Sequence, residues 1–175
     1  MPELKAAVVI PCRNEERYIE RCVLSVVNSD YREGTIDVYI SDGMSDDNTR
    51  SIIRDLSSAY PNVHLVDNEK RTTPFALNLG IKAAGDFDVL IILGAHAEIA
   101  PDYIALCVAD LEKDKLVGCA GGILENVNED EVSETIAHAM SSPFGVGNAH
   151  FRTGLKAGYV DTVAFVAYRK EVFEK

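Results

Sequence analysis

The amino-acid sequence predicts an α/β protein built on a parallel sheet, and three observations carry that expectation. Short apolar runs alternate with stretches of helical periodicity four times within about 120 residues, the pattern of strands joined by crossover helices. Turn residues such as Ser41-Asp42-Gly43 stand directly after an apolar run. The length, 175 residues, fits one domain able to bury a proper core, and 47% hydrophobic with 26% charged residues is an ordinary globular composition.

Each element has a local reason. Residues 5–11 form a continuous apolar run stopped at Pro11, as expected of a strand buried on both faces. Residues 15–27 place Ile19, Cys22, Val23, Val26 and Val27 at helical spacing. Residues 36–40 read as the second strand, and Asp46, Asp47 and Asn48 are candidate caps for a second helix reaching about Ser58. A short strand over 62–66 follows Pro61, and residues 74–84 make a third helix closed by Gly85. Residues 87–93 are the most hydrophobic strand, Pro101 opens a helix to about Glu112, and residues 116–120 make a fifth strand. Past Gly122 the pattern changes. Residues 125–131 are polar and acidic, 132–140 read as one helix, and 141–158 as a long loop rich in small residues. Residues 159–168 return to strand character, and 169–175 begin another helix.

Composition narrows the function. The chain carries 28 acidic against 17 basic residues, a formal charge of −11, which argues against a general nucleic-acid binder. The longest apolar runs, such as Val89-Leu90-Ile91-Ile92-Leu93, are too short to span a bilayer, and no secretory signal opens the chain, so a cytoplasmic location is expected. The cysteines at 12, 22, 107 and 119 form no CxxC pair and match no common zinc spacing. Cys22 and Cys107 read as core residues, and Cys12 lacks an identifiable partner base for nucleophilic work.

In an open parallel sheet, ligands bind beyond the carboxyl ends of the strands. Three such ends carry chemistry here: Pro11-Cys12-Arg13-Asn14-Glu15, Ser41-Asp42-Gly43 and Gly94-Ala95-His96. The first strand leads into neither GxGxxG nor a Walker-type lysine loop, so the dinucleotide and P-loop readings lose their main support.

At these residues a resemblance becomes specific. Val8-Val9-Ile10-Pro11-Cys12-Arg13-Asn14-Glu15-Glu16 followed by Tyr18-Ile19 resembles the opening of family-2 glycosyltransferases. Ser41-Asp42-Gly43-Met44-Ser45-Asp46-Asp47-Asn48-Thr49 is similar to that family's second motif. Ala76-Leu77-Asn78-Leu79-Gly80-Ile81-Lys82-Ala83-Ala84-Gly85-Asp86 resembles its third helix and the entry to the metal-site strand. Ser141-Ser142-Pro143-Phe144-Gly145-Val146-Gly147 and Val160-Asp161-Thr162 narrow the likeness to the succinoglycan-type exopolysaccharide transferases. The resemblance implies a GT-A-type nucleotide-diphospho-sugar transferase fold, with a central, mostly parallel sheet flanked by helices.

It also implies roles. Asp42 would accept hydrogen bonds from the uracil or ribose of a UDP-sugar; its other reading is a helix cap or turn aspartate. Pro11 and Glu15 would shape the floor of the nucleotide pocket, Glu15 being alternatively a first-turn helix acid. Arg71 would lie against the base or a phosphate, or else is an exposed loop residue. His96 falls on the position that holds a divalent metal, Mn2+ or Mg2+, or else is a buried histidine; Gly94 replaces the acid that normally contacts the ribose.

The implied mechanism is inverting displacement at the anomeric carbon, with a divalent cation neutralising the leaving diphosphate and a carboxylate base assisting the acceptor hydroxyl. The acceptor would be a saccharide or a lipid-linked saccharide, with at most peripheral membrane contact. The family's base follows a Gly-Gly-Phe-Asp segment, and this chain reads Val172-Phe173-Glu174-Lys175 where that region should begin. The expectation is therefore one domain over 1–175, the donor-binding part of the catalytic domain, with the base beyond Lys175. Asp161 lies too early to match the base, and no motif raises His138 or His150 above surface histidines. Two alternatives remain: a degenerate domain that binds nucleotide sugar without turning it over, and a nucleotidyltransferase of related fold.

Overall fold

A computed structural model describes residues 4–127, 139, 158–160 and 163–173. The chain divides into two compact units, Met1–Ala120 with Ala167–Lys175, and Gly121–Val166.

The first unit is built on a six-stranded sheet. Its strands are β1 (Leu4–Cys12), β2 (Gly34–Asp42), β3 (Val63–Asp67), β4 (Val89–Ile92), β5 (Cys119–Ala120) and β6 (Ala167–Arg169). The helices are α1 (Ile19–Val27), α2 (Thr49–Ala59), α3 (Thr73–Ala84) and α4 (Tyr103–Lys113), and a 3-10 turn follows β6 over Lys170–Val172. The strand order is β3-β2-β1-β4-β6-β5. The first four strands run parallel; β6 is antiparallel to both β4 and β5.

The apolar runs became strands because both faces of the sheet are covered. Val8, Val9 and Ile10 are consecutive and each is 0% exposed, although successive side chains point to opposite faces. On one face Ala7, Val9 and Leu90 pack with Phe87 and Ala84, joined by Leu77 and Ile81 of α3. Helix α3 approaches very closely: a Cβ on Gly80 would stand 2.4 Å from Val9 Cγ1 and 2.9 Å from Ser41 Oγ. Gly85 ends that helix at φ 64°, a conformation glycine adopts without steric cost. Helix α1 brings its buried stripe of Ile19, Cys22, Val23 and Val26 against β2 and α2.

Four elements differ from the sequence expectation, each for a long-range reason. The strand expected over 159–168 is confined to Ala167–Arg169, because only there does the chain pair with β4 and β5, while 159, 160 and 163–166 are neither helix nor strand. Helix α1 begins at Ile19 instead of residue 15, because the preceding amides donate to the loop after β2. Asn14 N donates to Ser45 Oγ at 2.8 Å, Glu15 N to Thr49 Oγ1 at 2.8 Å and Glu16 N to Asp47 Oδ2 at 3.3 Å. Strand β5 shrinks to two residues, since Leu116 and Val117 are held in a turn by bonds to Asp114 Oδ1 (2.9 Å) and Asp114 O (3.1 Å). Arg169 fastens that turn through Nε to Val117 O at 2.7 Å, and its strand inserts between β4 and β5. The expected last helix appears only as the 3-10 turn.

In the second unit, residues 121–127 run without helix or strand, and Ala139 is helical. The rest of the expected helix over 132–140, most of the loop over 141–158, the motif at 141–147, and Asp161, Thr162, His138 and His150 lie outside the described residues.

Candidate functional site

The register of the first three strands sets the site. Cys12, Asp42 and Asp67 are partners in a row across β1, β2 and β3, so their loops leave the sheet side by side. Beyond this edge, and beyond the end of β4, lies a cleft of about 350 Å³. Pro11, Glu15, Arg71 and His96 all line it, as do Arg13 and Gly94.

The rim backbone is unusual. Asn14 (φ 57°), Met44 (φ 55°) and Arg71 (φ 56°) adopt the left-handed conformation, one in each loop following β1, β2 and β3. Non-glycine residues held there cost on the order of 1–3 kcal/mol each and tend to cluster at ligand sites. Arg71 is fixed by a turn in which its N–H donates to Asn68 O at 3.1 Å.

Asp42 stands apart from the other four. It is 0% exposed and lies among donors of its own chain. Oδ1 accepts from Ser45 Oγ and from Cys12 Sγ (3.7 Å); Oδ2 accepts from Ser45 N (3.0 Å) and Arg50 Nη1 (2.5 Å). A carboxylate offers about four lone-pair sites, and here all have donors. Arg50 also bridges to Asp67 Oδ1 at 2.7 Å, which ties the ends of β2 and β3 together. The arrangement matches the turn-aspartate alternative: Asp42 organises the loop that receives Asn14, Glu15 and Glu16.

The side chain that the cleft wall presents at this point is Asn68, which the sequence reading missed. It follows the last residue of β3 and is 1% exposed. Its N–H donates to Asp42 O at 2.9 Å and its Nδ2 to Thr72 O at 3.0 Å, while Oδ1 is buried without a partner among the described residues. Leaving such an acceptor unpaired costs about 1–3 kcal/mol, which a ligand N–H or O–H would recover. The signal was present in the sequence: an amide directly after a strand, in a position equivalent to the polar ends of the strands before it.

At the other wall, His96 lies in the turn after β4 with its side chain 66% exposed, so it is not a buried core histidine. Its Nδ1 stands 3.7 Å from Glu15 Oε1. Glu15 does not serve as a first-turn acid of α1, which starts four residues later. Burial, together with the carboxylates of Asp42 and Glu15, pushes the Cys12 thiol far above its ordinary range, which removes it as a thiolate nucleophile. Arg13 and Arg71 are exposed and have no ion-pair partner among the described residues. Two cationic side chains, an orphaned acceptor and a carboxylate–imidazole pair therefore meet in one cleft of a strongly acidic chain.

Residues 7–175 match the family described as Glycosyl transferase family 2. The chain belongs to that family. It is 32% identical over 177 residues to dolichyl N-acetyl-alpha-D-glucosaminyl phosphate 3-beta-D-2,3-diacetamido-2,3-dideoxy-beta-D-glucuronosyltransferase of Methanococcus voltae, covering 97% of this chain and 54% of that protein. It is 30% identical over 171 residues to the succinoglycan biosynthesis protein ExoA of Rhizobium meliloti, covering 95% of this chain and 50% of that one. The chain thus spans about half the length of the curated relatives it matches.

Solved structures agree on the fold. Staphylococcus aureus TarS in complex with UDP superposes with a TM-score of 0.71 at 18% identity, over 98% of this chain and 48% of that one. The mannosyltransferase PcManGT from Pyrobaculum calidifontis, in complex with GDP-Man and Mn2+, gives 0.67 at 22% identity, over 98% and 46%. The family-2 sheet is therefore the GT-A arrangement expected from the sequence. No group of three His, Cys, Asp or Glu side chains that would hold a metal is present among the described residues, and no described helix is long and apolar enough to cross a membrane.

Proposed function

We propose that this chain is the donor-binding part of an inverting glycosyltransferase that takes its sugar from a UDP-sugar. The acceptor is a saccharide or lipid-linked saccharide of exopolysaccharide synthesis, met at the cytoplasmic side with at most peripheral membrane contact. Family membership and the succinoglycan relative support the class of reaction. The observation that carries the donor reading is the cleft beyond β1–β4, where Asn68 Oδ1 is buried and unpaired beside Arg71.

In this reading the imide N–H of the base donates to Asn68, and Pro11 gives a rigid apolar floor. Arg71 and Arg13 face the diphosphate, with Arg71 held toward the cleft by its left-handed backbone. Asp42 acts beneath them, holding the loop that anchors Glu15. The donor set fits a divalent cation: a carboxylate at Glu15 and an imidazole at His96 lie together at the cleft, and magnesium or manganese needs only one or two protein ligands when phosphates supply the rest. Such a cation supplies charge neutralisation at the departing diphosphate.

Calorimetric titration of UDP and UDP-glucose, with and without manganese, tests the proposal. Asn68→Ala should weaken UDP about 2- to 10-fold in either condition, the loss expected of one hydrogen bond. No UDP binding by the folded chain in any condition would overturn the donor reading. A second reading, donor binding without turnover, is favoured by Gly94, where the family's acid is absent. UDP binding with neither hydrolysis nor transfer of the donor sugar would select it.

A further inference from the structure

In the loop after β1, Arg13 and Glu15 line the cleft while Asn14, between them, bonds away from it to the loop after β2. We propose that Asn14 and Gly43 are positioning residues: from opposite sides they aim the Arg13 guanidinium at the diphosphate of the donor. The proposal rests on the donor-binding reading and adds to it the devices that set the direction of Arg13.

Asn14 fixes the backbone. It sits at φ 57°, a conformation that L-residues seldom take and that asparagine takes more readily than most, because its short amide bonds nearby backbone. Here the bonds are reciprocal. Asn14 N donates to Ser45 Oγ at 2.8 Å, and Asn14 Oδ1 accepts from Asp46 N at 3.1 Å. The next two residues are tied to the same loop. Glu15 N donates to Thr49 Oγ1 at 2.8 Å, and Glu16 Oε2 accepts from Asn48 N at 3.0 Å and Asn48 Nδ2 at 2.9 Å. On the other side of Arg13, Cys12 ends β1 and its carbonyl accepts from Gly43 N at 2.8 Å. Arg13 is thus a single residue strung between two fixed points.

Gly43 fixes the stem. A Cβ at position 43 would stand 3.3 Å from both Cβ and Cδ of Arg13, so the aliphatic stem lies over the bare backbone of the glycine. Gly43 is not among the glycines with positive φ, so it is the close approach, and not the backbone conformation, that uses its missing side chain. A long cationic side chain gives up rotamer freedom when it binds an anion. A stem already laid against a fixed surface has surrendered part of that freedom beforehand, and more of the forked bond to phosphate remains as affinity.

The test compares UDP, by calorimetry, with uridine, which lacks the diphosphate, by ligand-observed NMR, on the whole chain. Arg13→Met should weaken UDP at least about tenfold, the scale of a charge-assisted bond, and leave uridine unchanged. Asn14→Ala and Gly43→Ala should each weaken UDP about 3- to 10-fold through a misplaced guanidinium. Their uridine affinity should again be unchanged, which also shows that the variants fold. Asn14→Gly keeps the left-handed backbone and should recover most of the loss. In the Arg13→Met background neither alanine substitution should weaken UDP further, since the group they aim is gone. A loss shared equally by uridine, or one that persists in full without the arginine, overturns the positioning role and leaves the donor reading standing. A wild-type chain that binds no UDP overturns the donor reading and this proposal with it.

Discussion

Replacing Arg50 with methionine should cost the fold far more than removing one of the carboxylates it holds. Arg50 is 16% exposed in its side chain and contacts Asp42, which is 0% exposed, and Asp67, which is 59% exposed. Removing one partner of a fully buried ion pair costs about 3–5 kcal/mol, because the other charge stays behind uncompensated. Here Asp42 keeps the two bonds from Ser45 and the weak one from Cys12, so the penalty should fall to about 2–3 kcal/mol. For a chain of this size that corresponds to a fall in Tm of about 4–12 °C. Asp67→Asn removes only the solvent-facing contact, and exposed pairs contribute about 0–1 kcal/mol. Urea denaturation of the two variants beside the wild type measures both figures. Arg50→Met within 0.5 kcal/mol of wild type, or Asp67→Asn equally damaging, would refute the view that Arg50 serves chiefly to neutralise a buried Asp42.

Three other outcomes follow from the same geometry. Gly80→Ala should destabilise by about 1–3 kcal/mol in chemical denaturation, because its Cβ would meet Val9 Cγ1 at 2.4 Å and Val9 is fully buried in a packed strand. Burial raises the thiols of Cys22 (to about 12) and Cys107 (to about 11) above their ordinary 9.0, and Cys12 further still. The protonated form is thus favoured in the fold, so stability is fully present below pH ~9 and declines above it by up to about 1.4 kcal/mol per pH unit and thiol, as the unfolded chain's thiols ionise first. Denaturation midpoints between pH 8 and 10 check that sign, and native thiol labelling should reach the exposed Cys119 well before the other three. Gly94→Asp adds a carboxylate beside His96; since Gly94 is not among the glycines with positive φ, the aspartate is tolerated by the backbone and should raise manganese-dependent UDP affinity in calorimetry.

The strands and helices of the first 113 residues were legible because their causes are local. Val8-Val9-Ile10 must be apolar at every position once both faces are covered, and Ile19, Cys22, Val23 and Val26 must recur at helical spacing once one face is buried. The loops were legible less well. The start of α1 depends on Ser45, Asp47 and Thr49, some thirty residues away, drawing off amides that a helix would otherwise have used. No spacing within residues 15–18 reports those partners.

The sequence by itself determined the order of elements as far as β5, the family motifs and the edge at which Pro11, Glu15, Arg71 and His96 gather, since those follow from local periodicity and from strands ending where polar turns begin. Only the tertiary structure decided which polar strand end faces the cleft and which is sealed below it. Asp42 and Asn68 both sit at or just past a strand end, and composition does not separate them. The register that sets Asp42 between Cys12 and Asp67, within reach of Arg50, fills the acceptor sites of one; Asn68 is left with an oxygen that none of the described residues bonds. The same long-range packing slid β6 between β4 and β5 and brought Glu15 to His96, because pairing across eighty residues is selected by shape and charge in three dimensions and leaves no periodic trace along the chain.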